Sequence, residues 1–356
     1  MNRNWRRRAG LWLAVMLVSG CGRQVVSPSL APTIPASEEL IEEGLLPEPK
    51  DIPSQEEEIP PEPVVNPTID EATLTEATAL PPIVPDEGRS LIVFMSDFGG
   101  QDFELFVVEP NGQNLTQLTD NDAQDFAPTW SPDGKQIAFH SDRDGNDELY
   151  VMNADGTDVI RLSADLASDT FPVWSPDRAR IAFVSTRGGK ADMWTVDIAT
   201  AELTPLTDDT TDPANPDWSP DGTRIAFTAF NPTDGTGSVR VLPVETGVSA
   251  PITVEGAFYP DWSPDGTRIA FAAPGDGLDI FVAQADGSNP TPLNSNPEQQ
   301  HSPSFSPDGT QLVYVQSSGI SSDLWVMNTD GTAATQITQD MNPLMPRWSS
   351  KPGSDG

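Results

Sequence analysis

The residues most often used for nucleophilic or metal chemistry are sparse in this chain: two histidines, His140 and His301, and one cysteine, Cys21. A nucleophilic hydrolase needs a base beside its nucleophile, and no Gly-x-Ser-x-Gly stretch accompanies either histidine. Two separated histidines are too few for a histidine-based metal centre. Carboxylates are abundant, so composition alone does not exclude paired-acid chemistry such as glycoside hydrolysis. The most regularly placed acids, Glu104, Glu148, Asp192, Asp279 and Asp323, recur at one position of a repeat. That recurrence suits hydrogen bonding to neighbouring backbone or hydroxyls better than catalysis. Asp142, Asp144 and Asn146 offer oxygens at alternate positions, as calcium loops do. Gly145 stands fourth in that run rather than sixth, and Asn153 stands twelfth in place of glutamate, so the run is no EF-hand. A calcium site there competes with an ordinary polar hairpin turn. The expectation is a non-enzymatic protein with no catalytic residue and no cofactor beyond that calcium candidate.

These residues ride on a repeated framework. The stretch PDWSPDGTRIAF occurs at 216–227 and again at 260–271. Trp130, Trp174, Trp218 and Trp262 are spaced by 44 residues, and Phe305 and Trp348 continue the series at 43. A short apolar run follows the first five of these: Ile137-Ala138-Phe139, Ile181-Ala182-Phe183, Ile225-Ala226-Phe227, Ile269-Ala270-Phe271 and Leu312-Val313-Tyr314. A sixth copy, Ile92-Val93-Phe94, opens the region. Each unit carries four strand signals. The first ends at the Trp, the second is the Ile-Ala-Phe run, the third is typified by Glu148–Met152 and the fourth by Val159–Leu162. Ser-Pro-Asp-Gly and Asn153-Ala154-Asp155-Gly156 have the residue types of tight turns between them.

Four antiparallel strands per repeat, six times over, predict an all-β fold: a six-bladed β-propeller of four-stranded blades over residues 91–350. The first unit begins at its second strand, and Met345–Ser349 reads as a first strand with no second after it. The N- and C-terminal strands are therefore expected to complete one blade and close the ring, leaving no free edge. The pattern Pro-x-Trp-Ser-Pro-Asp-Gly-x-x-Ile-Ala-Phe, followed by Leu-Tyr-Val-Met-Asn-Ala-Asp-Gly, resembles the propeller repeat of the TolB family. That resemblance implies the same propeller and, as one functional reading, a Tol–Pal-type envelope component.

In a propeller the first strand of each blade lines the central channel, and the loop before it reaches the channel mouth. The residues just upstream of Pro-x-Trp differ between blades: Phe126-Ala127, Thr170-Phe171, Ala214-Asn215, Phe258-Tyr259, His301-Ser302 and Leu344-Met345. The same loops carry Asp122, Asp125, Asp169, Asp209, Asp212, Glu255, Glu298 and Asp340. The ligand contacts expected at the mouth are Asp125, Phe126, Asp169, Phe171, Asp212, Asn215, Phe258, Tyr259, His301 and Met345. An apolar ring inside an acidic collar suits a peptide with basic flanks, or a carbohydrate stacked on rings. The competing reading is that Phe126 and Phe171 plug the channel. His140 occupies a strand position filled elsewhere by Met95, Val184, Thr228, Ala272 and Val315, which favours packing over ligation. The fourth blade is irregular, with Arg240 in place of an aromatic and a longer loop, 230–237.

The N-terminus, MNRNWRRRAGLWLAVMLVSGCG, sets a basic stretch before an apolar run, small residues and the lone cysteine. It reads as a secretory signal, and Val18-Ser19-Gly20-Cys21 resembles the lipobox of bacterial lipoproteins. Residues 1–20 are expected to be a lipoprotein signal peptide, with lipid on Cys21. Residues 21–90 are rich in proline and acid and lack apolar periodicity, the composition of a disordered tether; 351–356 is a short tail. The formal net charge of −35 disfavours nucleic acid, whose phosphates need Lys and Arg. The expected protein is an extracytoplasmic monomer, lipid-anchored to a bacterial cell membrane or outer membrane and touching the membrane through the anchor only. It binds a protein or peptide partner without catalysis; the alternatives are carbohydrate binding or cleavage, and the Tol–Pal role.

Overall fold

The computed structural model describes residues 90–100, 102–207, 211–253, 255–319 and 321–349. The proposed signal peptide, Cys21, the acidic segment up to residue 89, Asp209 and the tail lie outside the described residues. Among the described residues no helix is long and apolar enough to cross a membrane.

The described residues form six four-stranded antiparallel sheets. Blade 2 sets the pattern with strands Asp125–Trp130, Gln136–Ser141, Glu148–Asn153 and Ile160–Arg161. Blades 3 to 6 repeat it with first strands Asp169–Trp174, Asp212–Trp218, Phe258–Trp262 and Gln299–Phe305. Blade 1 is composite: its first strand, Pro343–Trp348, pairs with Ile92–Ser96, joining the two ends of the domain in one sheet as expected. Two hydrogen bonds seal the joint: the Ser349 N–H donates to Leu91 O at 2.7 Å, and the Leu91 N–H donates to the Ser349 hydroxyl oxygen at 2.8 Å. The fourth strands are two or three residues long, shorter than the sequence signal, which keeps each outer edge brief.

The apolar core is divided among the six junctions between blades. At the junction of blades 1 and 2, Val93, Leu105 and Val107 meet Trp130, Ile137 and Phe139, and each other junction has its counterpart. The repeated stretch PDWSPDGTRIAF is what makes these junctions. Its first Asp accepts the backbone N–H of the aromatic in the next blade: Asp217 Oδ2 from Trp262 at 2.6 Å, and Asp261 Oδ2 from Phe305 at 2.7 Å. Its Ser and second Asp bond each other across the turn, as Ser219 and Asp221 do at 2.5 Å. Its Arg stacks on the next blade's aromatic, Arg224 over Trp262 at 4.5 Å and Arg268 over Phe305 at 5.5 Å. Two side chains of one blade, the first Asp and the Arg, thus reach into its neighbour while the Ser–Asp pair holds the turn between them, which is why the stretch is copied.

Candidate functional site

Antiparallel order puts the start of every first strand at one end of the ring, and this end is the channel mouth. In each blade the pairing of first and second strands slips beside the Pro that lies two residues before the aromatic. The residue before that Pro has positive φ in all six blades: Ala127 49°, Phe171 52°, Asn215 50°, Tyr259 55°, Ser302 52° and Met345 49°. None is glycine, so each position carries strain, about 1–3 kcal/mol for a non-glycine residue in this region. The bulge turns these six side chains toward the lumen, where they line the cavity with five of the prolines behind them.

The neighbouring blade holds the bulge from outside. His140 Nδ1 accepts the Phe171 N–H at 3.3 Å, and Thr228 Oγ1 accepts the Tyr259 N–H at 3.0 Å. His140 packs between Phe126 and Phe171, at ring separations of 5.4 and 5.6 Å. Burial drives its pKa down to about 3, so it is neutral and serves as an acceptor. His301 stands half-buried against Tyr259 at 5.7 Å, and burial lowers it to about 4.

The lumen is nearly closed. Asn215 Nδ2 and Met345 Sδ, from opposite blades, stand 4.0 Å apart. The space left among the ring residues is about 30 Å³, room for one or two waters and no organic ligand. One layer deeper, Arg347 Nη1 bonds Asp261 Oδ1 at 2.6 Å. Burial, and then the Asp217 carboxylate, push Asp261 up to about 7, and burial raises Asp217 as well.

The structure divides the expected contact residues into groups. Phe171, Asn215, Tyr259 and Met345 line the lumen together. Phe126, Phe258 and His301, each one residue earlier, pair with the second strand and do not line the cavity. Phe126 stacks between Phe103 and His140, and Phe258 packs on Phe230. Asp125 and Asp169 depart from the expectation of ligand contacts. Both are fully buried and clamped, by Arg143 Nη2 at 2.8 Å and by Arg187 Nη2 at 2.8 Å. Each arginine also reaches a serine on the second strand, Ser141 at 3.0 Å and Ser185 at 2.8 Å, and lies over Tyr150 or Trp194. Asp212 begins the first strand of blade 4 and is half-buried. At the mouth the exposed acids are Asp120, Asp122, Asp165, Glu255 and Asp340.

The calcium candidate residues go separate ways. Asp142 Oδ1 accepts Gln124 N at 2.9 Å, Asp144 Oδ2 takes Tyr150 OH at 2.7 Å and Arg161 at 3.0 Å, and Asn146 donates to Ala167 O at 2.6 Å. Among the described residues no three His, Cys, Asp or Glu side chains gather as metal ligands. Arg240 is held by Ser249 through its Oγ and carbonyl, both at 2.8 Å.

A protein-family comparison matches the TolB beta propeller domain at residues 71–212 and 205–353. Among solved structures, TolB from Acinetobacter baumannii is similar with a TM-score of 0.63 and 21% identity, covering 75% of this chain and 68% of that one. The putative TolB from Agrobacterium tumefaciens has a TM-score of 0.59 and 20% identity, over 72% of this chain and 91% of that one. A curated relative, Dipeptidyl-peptidase 5 of Porphyromonas gingivalis, is 44% identical over 43 residues, 12% of this chain. The match spans 6% of that relative's length, about one blade.

Proposed function

Since this chain belongs to the TolB beta propeller family, we propose that it is a non-catalytic protein- or peptide-binding propeller displayed on the outside of a bacterial membrane. The observation that carries this reading is the bulge ring. One repeated position holds six different side chains, Ala127, Phe171, Asn215, Tyr259, Ser302 and Met345, each in a strained conformation around a closed lumen. A partner rests on this plug rather than threading through it. Phe126, Phe171, Phe258, His301 and Met345 remain half-exposed, and offer it an aromatic and apolar floor. The exposed acids around them favour a partner segment with basic flanks. Lipid on Cys21 supplies the anchor in this reading, and fractionation of a Cys21→Ser variant tests it: membrane retention equal to wild type removes the anchor.

The binding test compares envelope proteins captured by the wild type with those captured by a Phe171→Ala/Met345→Ala variant of equal thermal stability. Loss of one stoichiometric partner in the variant supports the reading. Equal capture by both, or turnover of a glycan by the wild type, overturns it.

A further inference from the structure

Four buried oxygens without a hydrogen-bond partner lie along the junction of blades 5 and 6: Asp279 Oδ1, Asn294 Oδ1, Gln300 Oε1 and Tyr314 OH. Asp279 is 1% exposed, and Gln300 and Tyr314 are fully buried. Neighbouring contacts join them into one polar seam. Leu293 N bonds Ile280 O at 2.9 Å, which sets Asn294 beside Asp279, and Ser295 Oγ lies 3.4 Å from Asp279 Oδ2. The Tyr314 hydroxyl faces the Asn294 side chain and the Glu298 carboxylate. Gln316 donates to Glu298 Oε2 and accepts from Gln300 at 3.0 Å.

Asp279 keeps the acid of the repeat, but the seam departs from the repeat at Asn294, Gln300, Tyr314 and Gln316. Tyr314 stands where the other blades have Phe94, Phe139, Phe183, Phe227 and Phe271. Asn294 stands where they have Thr119, Ser163, Thr207, Thr253 and Thr338, whose hydroxyls accept a third-strand N–H at 2.8–3.0 Å. Gln300 takes the place of the clamped Asp125 and Asp169, and Gln316 that of Ser141 and Ser185. Each change enlarges a side chain or adds a polar atom; the carboxylate and amide oxygens left unpaired along the seam are acceptors, and the Tyr314 hydroxyl can both donate and accept.

The charge balance is one-sided. In blade 2 the equivalent of Asp279 is Glu148, which meets Arg161 at 2.8 Å and Ser163 at 2.5 Å. Asp279 has Asp276 N at 3.2 Å and Ser295, both on Oδ2. Arg268, the lone arginine or lysine of residues 255–340, is stacked on Phe305. A Cβ at Gly275 would lie 1.9 Å from Asp279 Oδ2, so glycine lets the chain close over this carboxylate. Bridging waters could satisfy the neutral acceptors, but they leave a buried charge without a counter-charge, which is costly. Hard cations of the calcium type take carboxylate and amide oxygens together.

We propose that the junction of blades 5 and 6 binds a hard divalent cation of the calcium class. Asp279 is its charged ligand, Asn294, Gln300 and Tyr314 contribute neutral oxygens, and Glu298 lies at the half-exposed end of the seam. The purified full chain, stripped with a chelator, is titrated with CaCl2 and separately with MgCl2 by calorimetry and thermal unfolding. The expected result is saturable calcium binding with a dissociation constant of about 10⁻⁴–10⁻³ M, preferred over magnesium, together with a raised Tm. Asp279→Asn weakens it by about tenfold or more. Tyr314→Phe and Asn294→Thr install what the other blades carry, so they keep the fold while lowering the affinity. Loose calcium binding by the many surface acids is shared by all variants. Titrations that are identical for wild type, Asp279→Asn and Tyr314→Phe overturn the proposal, as does a wild type whose Tm calcium leaves unchanged.

Discussion

Blades 2 and 3 and blades 5 and 6 solve the same problem at the channel mouth in opposite ways. In blades 2 and 3 the acid at the start of the first strand is buried against an arginine and a serine of its own blade. In blades 5 and 6 the corresponding positions carry Ala257 and Gln300, with no arginine, and buried oxygens stay unpaired. The mouth carboxylates of blades 2 and 3 are closed within the chain; the seam oxygens of blades 5 and 6 are left for something outside it. Repetition fixes the frame, and a departure from it marks where a blade does something besides hold its neighbours.

The largest expected effect lies on the closed side. Arg187→Ala leaves Asp169 buried without its counter-charge and should cost about 3–5 kcal/mol in denaturant unfolding. An Asp169→Asn/Arg187→Leu double variant should recover much of that loss. If the single variant unfolds like wild type, the clamps are ornamental and the contrast between the two sides fails.

The channel's raised carboxyls come next. Asp261 is raised to about 7 from an ordinary carboxylate value of 3.8, and Asp217 is raised as well. A carboxyl raised in this way binds more protons folded than unfolded, so stability falls as pH climbs from about 4 to about 7. Asp221 and Asp265, held down to about 2 by turn hydrogen bonds, act in the opposite sense and only below about pH 4. Asp217→Asn should therefore flatten the decline of Tm between about pH 5 and pH 7.5; an unchanged profile would place the titration elsewhere.

On the open side the expected change is smaller and of opposite sign. In chelator, Tyr314→Phe removes an unpaired buried hydroxyl and should stabilise the protein by about 1 kcal/mol. A loss of that size instead would mean the hydroxyl is already paired. Smallest of all, Arg224→Ala removes the stacking on Trp262, about 0.5–1 kcal/mol at a partly exposed site, read as a shift in the urea midpoint at constant slope.

The frame was legible in the sequence because every blade must present the same Trp, turn and Ile-Ala-Phe strand to its neighbour. Blade number, strand order and the composite first blade all follow from counting those copies. The mouth was legible only to within a residue. Phe126-Ala127 and Phe258-Tyr259 look equivalent as pairs, yet the bulge sends Ala127 and Tyr259 into the lumen and turns Phe126 and Phe258 between blades. Alternation along a strand gives no sign of a bulge; a Pro two residues before the aromatic in all six copies was the available clue. The acids misled because Asp125 and Asp169 lie in the right loops, while their partners Arg143 and Arg187 sit 18 residues downstream. The seam of blades 5 and 6 did leave a sequence signal, one Tyr among five Phe, but it reads as a neutral aromatic exchange until the hydroxyl is seen to be buried.

The composite blade also sets a timetable. Ile92–Ser96, the first described strand, pairs at once with Glu104–Val108, but Ile92 also pairs with Trp348, so its sheet waits for the last described strand to be complete. Until then a growing chain holds at most an open arc of blades with apolar faces bare at both ends. Sequence-distant pairing of this kind is slow and leaves the unfinished chain prone to aggregation. A ribosome stalled before residue 343, or a protease that trims the final described strand, would therefore release an arc able to stick to another arc, and completion of Pro343–Trp348 is the step that turns a sticky intermediate into a closed ring.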